Sequence, residues 1–434
     1  MKKKKLLYDT YEKPPTLQWL ILALQHVFAM FGATVLAPIL INQAAGAEVI
    51  PISTALLASG IGTLLYIFCT KGKSPVYLGS SFAYITPIVL AYTKGGISGF
   101  VTGIVSVGLI YILFALLIKK YGKKWVDKLL PPVVVGPMIM IIGLSLAPNA
   151  INQIGLNGDG LVWQNIFVAV VAFVTTIAVA IYAKGFFKVI PFLMGIIAGY
   201  LFAVCFHIVD FSVVKHADII SLPRILLPIK DYSFSFVWMV IIAPLALVSI
   251  AEHIGDHMAL SSIIGKDLIK NPGLDKTLMG DGVATTVAGL IGGPANTTYG
   301  ENTSVVGMSR VASVWVIGLA AVISIILSCF GIVSALLSTI PDPVLGGVSM
   351  ILYGFISVNG LKVLIENNVD YNDLKNVIIT STMLILGLGG AVITISSGDL
   401  SVSLTGMSLA AIVGIILNLI LNSDSKKTRG ENNV

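Results

Sequence analysis

The sequence predicts an all-α polytopic membrane protein with 14 transmembrane segments, arranged as two inverted repeats of seven segments. Three observations predict this class: the composition, the distribution of basic residues among the loops, and sequence matches between the two halves. Of the 434 residues, 56% are hydrophobic and only 11% are charged, whereas soluble proteins carry about 25% charged residues. Several apolar runs also reach the roughly 20 residues that span a bilayer, so the lipid bilayer is the expected surrounding of this chain.

The 14 segments follow from the apolar runs and the breaks between them. The third, ninth and tenth segments are short or interrupted by Gly and Pro. We place the starts of the segments near residues 17, 50, 78, 98, 130, 161, 187, 234, 279, 298, 311, 343, 374 and 402.

Basic residues support an even number of segments with both termini in the cytoplasm. Every second loop is rich in Lys, including the loops that hold Lys71, Lys119 and Lys266, whereas the 149–160 loop has neither Lys nor Arg. Positively charged loops stay on the cytoplasmic side. The predicted organisation is a cytoplasmic tail 1–16, a first repeat 17–210, an external loop 211–233, a second repeat 234–421 and a cytoplasmic tail 422–434.

Three pairs of short motifs relate the two halves at similar offsets. An odd number of segments in each half gives the halves opposite orientations, which is a common arrangement in secondary transporters. The pairs are Gln25-His26 with Glu252-His253 (offset 227), 80–84 with 297–301 (offset 217), and Pro132, Gly136 and Gly143 with Pro343, Gly347 and Gly354 (offset 211).

Two of the matched segments, 79–88 and 294–304, are poor in helix-forming residues. Pro, Gly, Asn and Thr favour a short extended piece followed by a half-helix in each segment. Irregular backbone at membrane depth is tolerated where it is buried in protein or lines a cavity, and the start of a half-helix offers free N–H groups to a ligand. The alternative is that both segments are only packing kinks.

Two carboxylates, Glu252 and Glu301, lie in these apolar and Gly-interrupted stretches. An ionisable residue at membrane depth is a candidate functional residue because its burial is costly. A planar heterocycle with ring N–H donors and C=O acceptors would match two carboxylates and backbone amides. A structural ion pair is the alternative, although no Lys or Arg lies within the core of any predicted segment.

Several neighbours of these carboxylates are candidates for supporting roles. Asp256 is four residues after Glu252 and shares its helix face, whereas His253 points about 100° away and is either a packed side chain or a proton carrier. Asp281 either lines the cavity or caps the ninth helix. Gln25 and His26 are expected to orient their neighbours by hydrogen bonding. The remaining histidines are expected at segment ends or in loops: His207, His216 and His257.

Other function classes lack the residues that they need. The three cysteines are isolated in apolar runs, and no metal-ligand or redox spacing is present, so we expect no metal site and no cofactor. The basic residues lie in short loops and tails, which indicates topology and not nucleic-acid binding. We find no zinc-protease, paired-aspartate or nucleophile-elbow pattern, and we therefore expect no catalytic residues and no enzyme activity.

These residues carry a specific resemblance to a known family. The segments 25–35 (QHVFAMFGATV), 75–83 (PVYLGSSFA), 251–255 (AEHIG), 296–302 (NTTYGEN) and 348–354 (VSMILYG) resemble the nucleobase–ascorbate transporter (nucleobase–cation symporter 2) family. Bacterial uracil permeases are its most similar branch. The likeness covers nearly the whole chain.

The resemblance implies a core domain and a gate domain, with short antiparallel strands in the third and tenth segments. It also implies proton-coupled import of uracil across a bacterial inner membrane by alternating access, without a cofactor beyond the proton gradient, and a homodimer. Glu252 and Glu301 would bind the nucleobase. The pocket would be completed by the backbones of Phe82, Tyr299 and Gly300, and lined by Ala29 and Tyr353.

The chain departs at Asp256 from one uracil permease of the family, which has a histidine four residues after the eighth-segment glutamate. Protonation is therefore expected at Glu301, Asp256 or His253, with Gln25, His26, Asp281 and Asn302 in support. A purine symporter (xanthine or urate) of the same fold is the nearest alternative, although Glu301 favours uracil over purines. An anion transporter of similar architecture is the remote alternative, and it would need a cation facing the site.

Overall fold

The computed structural model describes residues 6–158, 160–225, 232–397 and 400–422. Helices dominate it, and the four strands among these residues form two short antiparallel pairs. The helices are α1 Thr16–Ala45, α2 Ile52–Cys69, α3 Ile85–Tyr121, α4 Lys124–Leu129, α5 Pro132–Ile154, α6 Trp163–Tyr182, α7 Pro191–Cys205, α8 Ser212–Lys215, α9 Phe236–Ile242, α10 Ala246–Ile264, α11 Leu274–Leu290, α12 Gly300–Ser309, α13 Val314–Ser328, α14 Gly331–Ser338, α15 Asp342–Glu366, α16 Leu374–Leu388 and α17 Gly406–Leu421. The strands are β1 Leu78–Ser80, β2 Asn296–Thr298, β3 Val392–Ser397 and β4 Leu400–Thr405.

Each of the 14 predicted segments has a counterpart among these elements. Within the described ranges, length and hydropathy alone mark seven helices as able to cross a membrane, and α7, α16 and α17 are shorter apolar helices. The third and fourth segments form one helix, α3, that breaks at Gly96, whose φ of 60° and ψ of −157° are accessible to glycine. The ninth, α11, begins at Leu274 and not near 279, and the tenth combines β2 with the short α12.

The helices pack as two bundles, and each bundle contains matching segments from both halves of the chain. One bundle, the core, holds the first four segments and their counterparts: α2 packs on α13 as α11 packs on α3. The other, the gate, holds the remaining six: α6 packs on α7 as α16 packs on α17, and α5 packs on α15. This pattern confirms the predicted pair of repeats and the division into core and gate.

Helices α5 and α15 show the inversion directly because they lie antiparallel in close contact. A Cβ at Gly136 would meet Gly360, one at Gly143 would meet Tyr353 and Ser357, and one at Gly346 would meet Ala150. Residue numbers therefore rise along one helix as they fall along the other. Small residues let the two backbones approach closely.

Strands β1 and β2 pair in the middle of the core. They are antiparallel, and Leu78, Gly79 and Ser80 lie opposite Thr298, Thr297 and Asn296. The expected extended pieces in the third and tenth segments are thereby confirmed. The antiparallel pair of β3 and β4 was not expected from the sequence. It directly precedes α17, which therefore starts at Gly406 and not near residue 402.

The residues before α1 lie along the connection between α12 and α13. The backbone amide of Leu7 donates to the Arg310 carbonyl at 2.8 Å, and Ala312 donates to the Tyr8 carbonyl at 2.9 Å. Lys266, in the turn after α10, forms an ion pair with Asp9 at 2.6 Å. The first half of the chain thus holds three elements of the second half together.

Candidate functional site

The two half-helices begin beside the paired strands. After β2, the first backbone hydrogen bond of α12 runs from Thr303 N to the Tyr299 carbonyl at 3.1 Å, so the preceding amides are outside the helix's own bonding. Gly300, Glu301 and Asn302 therefore form the start of this half-helix. After β1, a single 3₁₀ turn, Phe82–Tyr84, leads into α3.

Glu252 and Asp256 lie one turn apart on α10 and face β2. The Thr298 hydroxyl donates to Asp256 Oδ2 at 2.5 Å, and the Thr297 hydroxyl donates to Glu252 Oε2 at 3.5 Å. Both carboxylates therefore share one face of the helix, as their spacing predicts. The strand that carries the two threonines also leads to Glu301, so all three carboxylates gather at one place.

Among the described residues, no Lys or Arg side chain neutralises this group of carboxylates. Glu252 interacts electrostatically with Asp256, Glu301 and Asp281, and the ion pairs recorded for the described part of the chain include no Lys or Arg partner for any of them. Glu252, Asp256 and Glu301 are half-buried. A charged group at membrane depth that keeps some exposure lines a polar cavity, so the alternative of a structural ion pair lacks support.

His253 and Asp281 form a separate, fully buried pair behind the site. His253 Nδ1 lies 2.8 Å from Asp281 Oδ2, and neither side chain is exposed. Asp281 is in the middle of α11, seven residues after the helix begins at Leu274. The alternative that Asp281 caps this helix is therefore wrong. His253 Nε2 and Asp281 Oδ1 lack hydrogen-bond partners among the described residues.

His257 occupies a different place from the one that the sequence predicts. It is not at a segment end but within α10, fully buried, because α10 continues to Ile264. Its Nε2 lies 2.5 Å from the Tyr66 hydroxyl of α2, and its Nδ1 lies 2.7 Å from the His253 carbonyl. His207 and His216 directly follow α7 and α8 in short connections, as expected.

The counterpart of the eighth segment, α1, supports the site from the other half. His26 is buried, and the Asn302 side-chain amide donates to its Nδ1 and to its carbonyl, both at 3.1 Å. The Tyr299 hydroxyl lies between the Thr34 hydroxyl at 3.1 Å and the Ser80 carbonyl at 3.2 Å. These contacts fix the start of α12, as expected for residues that orient their neighbours; Gln25, beside His26, is half-buried.

The remaining predicted pocket residues bring the two bundles into contact. The ring of Phe82, in the core, packs edge-on against that of Tyr353, in the gate, with 6.4 Å between centres. Tyr353 and Ala29 are both buried, with 2% and 7% of their surface exposed. An aromatic pair at this boundary would separate whenever the gate moves relative to the core.

Sequence reasoning missed several buried hydroxyls that complete the site. Tyr84 OH lies 2.6 Å from Ser249 Oγ, and Tyr111 packs edge-on against His253 with 6.3 Å between ring centres. Tyr and Ser are common packing residues in apolar runs, so nothing in the sequence distinguished Tyr84, Ser249 and Tyr111 as site residues. Thr297 and Thr298 could have been found, because they directly precede the tenth-segment half-helix.

Comparison with known proteins decides the family. The model of a family described as the permease family matches residues 17–396. The chain belongs to this permease family. The uracil permease of Bacillus subtilis (strain 168) is 48% identical over 428 residues, covering 97% of this chain and 96% of the relative. The uracil permease of Escherichia coli (strain K12) is 42% identical over 417 residues, covering 94% and 92%.

Solved structures confirm the fold of the permease. The transmembrane domain of the cyanobacterial bicarbonate transporter BicA superposes with a TM-score of 0.59, 17% identity, and coverage of 94% of this chain and 99% of that one. The murine anion transporter Slc26a9 in its inward-facing state gives a TM-score of 0.65, 12% identity, and coverage of 94% and 69%. At such low identity the likeness concerns the fold alone. The permease is a multi-pass membrane protein with this core and gate architecture.

Proposed function

We propose that the permease imports uracil together with protons by alternating access. The observation that carries the proposal is the group of half-buried carboxylates, Glu252, Asp256 and Glu301, at the start of a half-helix and without a cation. The uracil permeases that are 42% and 48% identical over nearly the whole chain support the choice of uracil.

The site matches the hydrogen-bonding groups of uracil. Its two ring N–H groups would donate to the carboxylates of Glu252 and Glu301, and its carbonyls would accept from amides at Phe82 and at Gly300. The positive ends of the two half-helix dipoles favour such acceptors. The Phe82 and Tyr353 rings would cover the base, with Tyr299 and Ala29 as the remaining lining.

Proton coupling follows from the surplus of negative charge. Glu252, Asp256 and Glu301 repel one another, and a proton taken up with neutral uracil would relieve this repulsion. Protonation of Glu301 or Asp256, or of the His253–Asp281 pair, would then change the relative stability of the outward-open and inward-open states. No other cofactor is needed.

The alternative substrates would require binding sites of different charge. The solved neighbours are a bicarbonate transporter and an anion transporter, but here an anion would be repelled by the carboxylates of Glu252, Asp256 and Glu301. A purine such as xanthine offers N–H and C=O groups resembling those of uracil, and remains the alternative that needs a direct test. We further propose a bacterial inner membrane location, cytoplasmic termini and a homodimer.

Thermal stabilisation of the detergent-purified permease by uracil, thymine, xanthine, ascorbate and sulfate tests this proposal. A ligand at 100 times its Kd stabilises the folded state by about 2.7 kcal/mol. We expect a shift with uracil that is lost in Glu252→Ala and kept in Glu48→Gln, since Glu48 forms an exposed pair with Arg224. A shift with xanthine and none with uracil would replace the substrate, and a shift with sulfate would favour anion transport.

A further inference from the structure

A dense group of lysines surrounds the connection between core and gate. Residues 119–128 join α3 of the core to α5 of the gate. Five of these ten residues are exposed lysines, and Asp127 is the one acidic residue among them: Lys119, Lys120, Lys123, Lys124 and Lys128. None of the five forms an ion pair in the part of the chain that the structure describes. This lysine group is therefore a strongly positive surface, with Asp127 as its single acidic residue.

A groove of about 370 Å³ opens within this group. It is lined by Leu117, Tyr121, Lys124 and Trp125. The Trp125 ring packs against Phe114 with 5.0 Å between centres, and its indole N–H is buried without an acceptor among the described residues. Lys120 Nζ lies 5.1 Å from the centre of the Tyr121 ring, at the edge of the groove. The groove thus combines an apolar wall with two cations.

The groove lies where a membrane surface is expected. It follows the long apolar helix α3, whose side chains Leu113 and Leu116 are exposed on the turn before it. Tyr and Trp favour the interface between lipid tails and water, and lysine-rich loops favour the cytoplasmic side. The cytoplasmic leaflet carries the anionic lipids. The Asn418 side chain of gate helix α17 donates to the Lys128 carbonyl at 3.0 Å, so the same connection touches the gate.

We propose that this groove binds the headgroup of an anionic phospholipid, with its phosphate against Lys120 and Lys124 and its acyl chains along α3. Charge complementarity selects this occupant. The C-terminal residues 423–434 would be the nearest competitor, but they carry three basic and two acidic residues and so do not complement five lysines.

Lipid retention by the full-length chain in mild detergent, measured by native mass spectrometry, tests the proposal. We expect phosphatidylglycerol to be retained in preference to phosphatidylcholine. Lys120→Gln/Lys124→Gln should weaken this binding at least tenfold, because each lysine near an anionic surface contributes about fivefold. Lys184→Gln/Lys188→Gln removes two exposed lysines at the same spacing in another loop and should leave the binding unchanged.

Lys124→Gln alone changes one exposed side chain that lines the groove, so it provides a second test if the double variant is unstable. It should weaken phosphatidylglycerol binding by about fivefold. Glycerol 3-phosphate at equal concentration should not compete, since it lacks the acyl chains. Equal retention of both lipids, or equal losses in the 120/124 and 184/188 variants, would overturn the proposal. A gain of binding in Asp424→Asn/Glu431→Gln would instead assign the groove to the C-terminal tail.

Discussion

The two halves of the permease share one scaffold but contribute different chemistry. In the third and tenth segments a three-residue strand leads into a helix, and the two strands pair with each other. The first half supplies hydroxyls, aromatic rings and His26. The second half supplies Glu252, Asp256, Asp281 and Glu301. The backbone and its packing are therefore shared by the two halves. These acidic side chains belong to the second half alone, on α10, α11 and α12.

This difference separates the roles of matched positions. Gln25 is the counterpart of Glu252, and Tyr84 is the counterpart of Glu301, at the offsets given by the repeats. If the second half alone supplies the charged groups that bind the substrate, changing one of them should weaken binding strongly, while the same kind of change at its counterpart should alter only packing. Each pair therefore contains its own control.

The largest effect is expected at Glu252. Glu252→Gln replaces a charged acceptor by a neutral amide, and hydrogen bonds to charged groups contribute about 1.5–3 kcal/mol, so uracil affinity should fall about 10- to 100-fold. Gln25→Ala, at the matched position, should change the affinity less than threefold. Isothermal titration of both variants measures the difference. Equal losses in the two would mean that both halves hold the substrate.

The second effect concerns proton coupling at Glu301. Glu301→Gln removes a group that binds and releases a proton, so uracil uptake into proteoliposomes should lose its dependence on an imposed proton gradient. Tyr84→Phe, which removes only a hydrogen bond to Ser249, should keep that dependence. Unchanged proton dependence in Glu301→Gln would move the coupling to Asp256 or to the His253–Asp281 pair.

Much of this architecture could be predicted because it depends on the residue types within each segment. Gly and Thr before Glu301 disfavour helix, and this composition predicted the strand and the half-helix. The buried positions and the contacts of His257 and Asp281 could not be predicted, because they depend on which helix packs against α10. Tyr66 of α2 and the middle of α11 meet these side chains only after the core has assembled.

A third pair of matched positions tests the packing part of the comparison. Gly143 and Gly354 are repeat counterparts, but a Cβ at Gly143 would overlap Tyr353 and Ser357, whereas one at Gly354 meets nothing within 4 Å. Gly143→Ala should therefore destabilise the permease by about 1–3 kcal/mol, and Gly354→Ala should stabilise it by up to about 1 kcal/mol. Apparent melting temperatures in detergent report both. Similar shifts in the two variants would contradict the close contact of α5 and α15.

The smallest effect is expected where the first half holds the second together from outside the membrane. The hydrogen bond from Lys266 is the largest of the contacts that hold the pKa of Asp9 below its ordinary value. A carboxylate with a lowered pKa in the folded state contributes stability above its unfolded pKa of about 3.9, and this contribution is lost as the pH falls through the folded value.

Asp9→Asn should therefore lower the apparent melting temperature at pH 7, and this effect should shrink as the pH falls below about 3.9. Because Asp9 is 47% and Lys266 41% exposed, the pair contributes at most about 0.5 kcal/mol, which corresponds to about 1–2 °C. Salt at 0.5 M should reduce the difference by screening. Glu366→Gln, which breaks an exposed pair with Lys362 at 3.5 Å within α15, should shift the melting temperature less, since that pair ties no separate elements together. A larger loss there would mean that the N-terminal residues do not hold the second half.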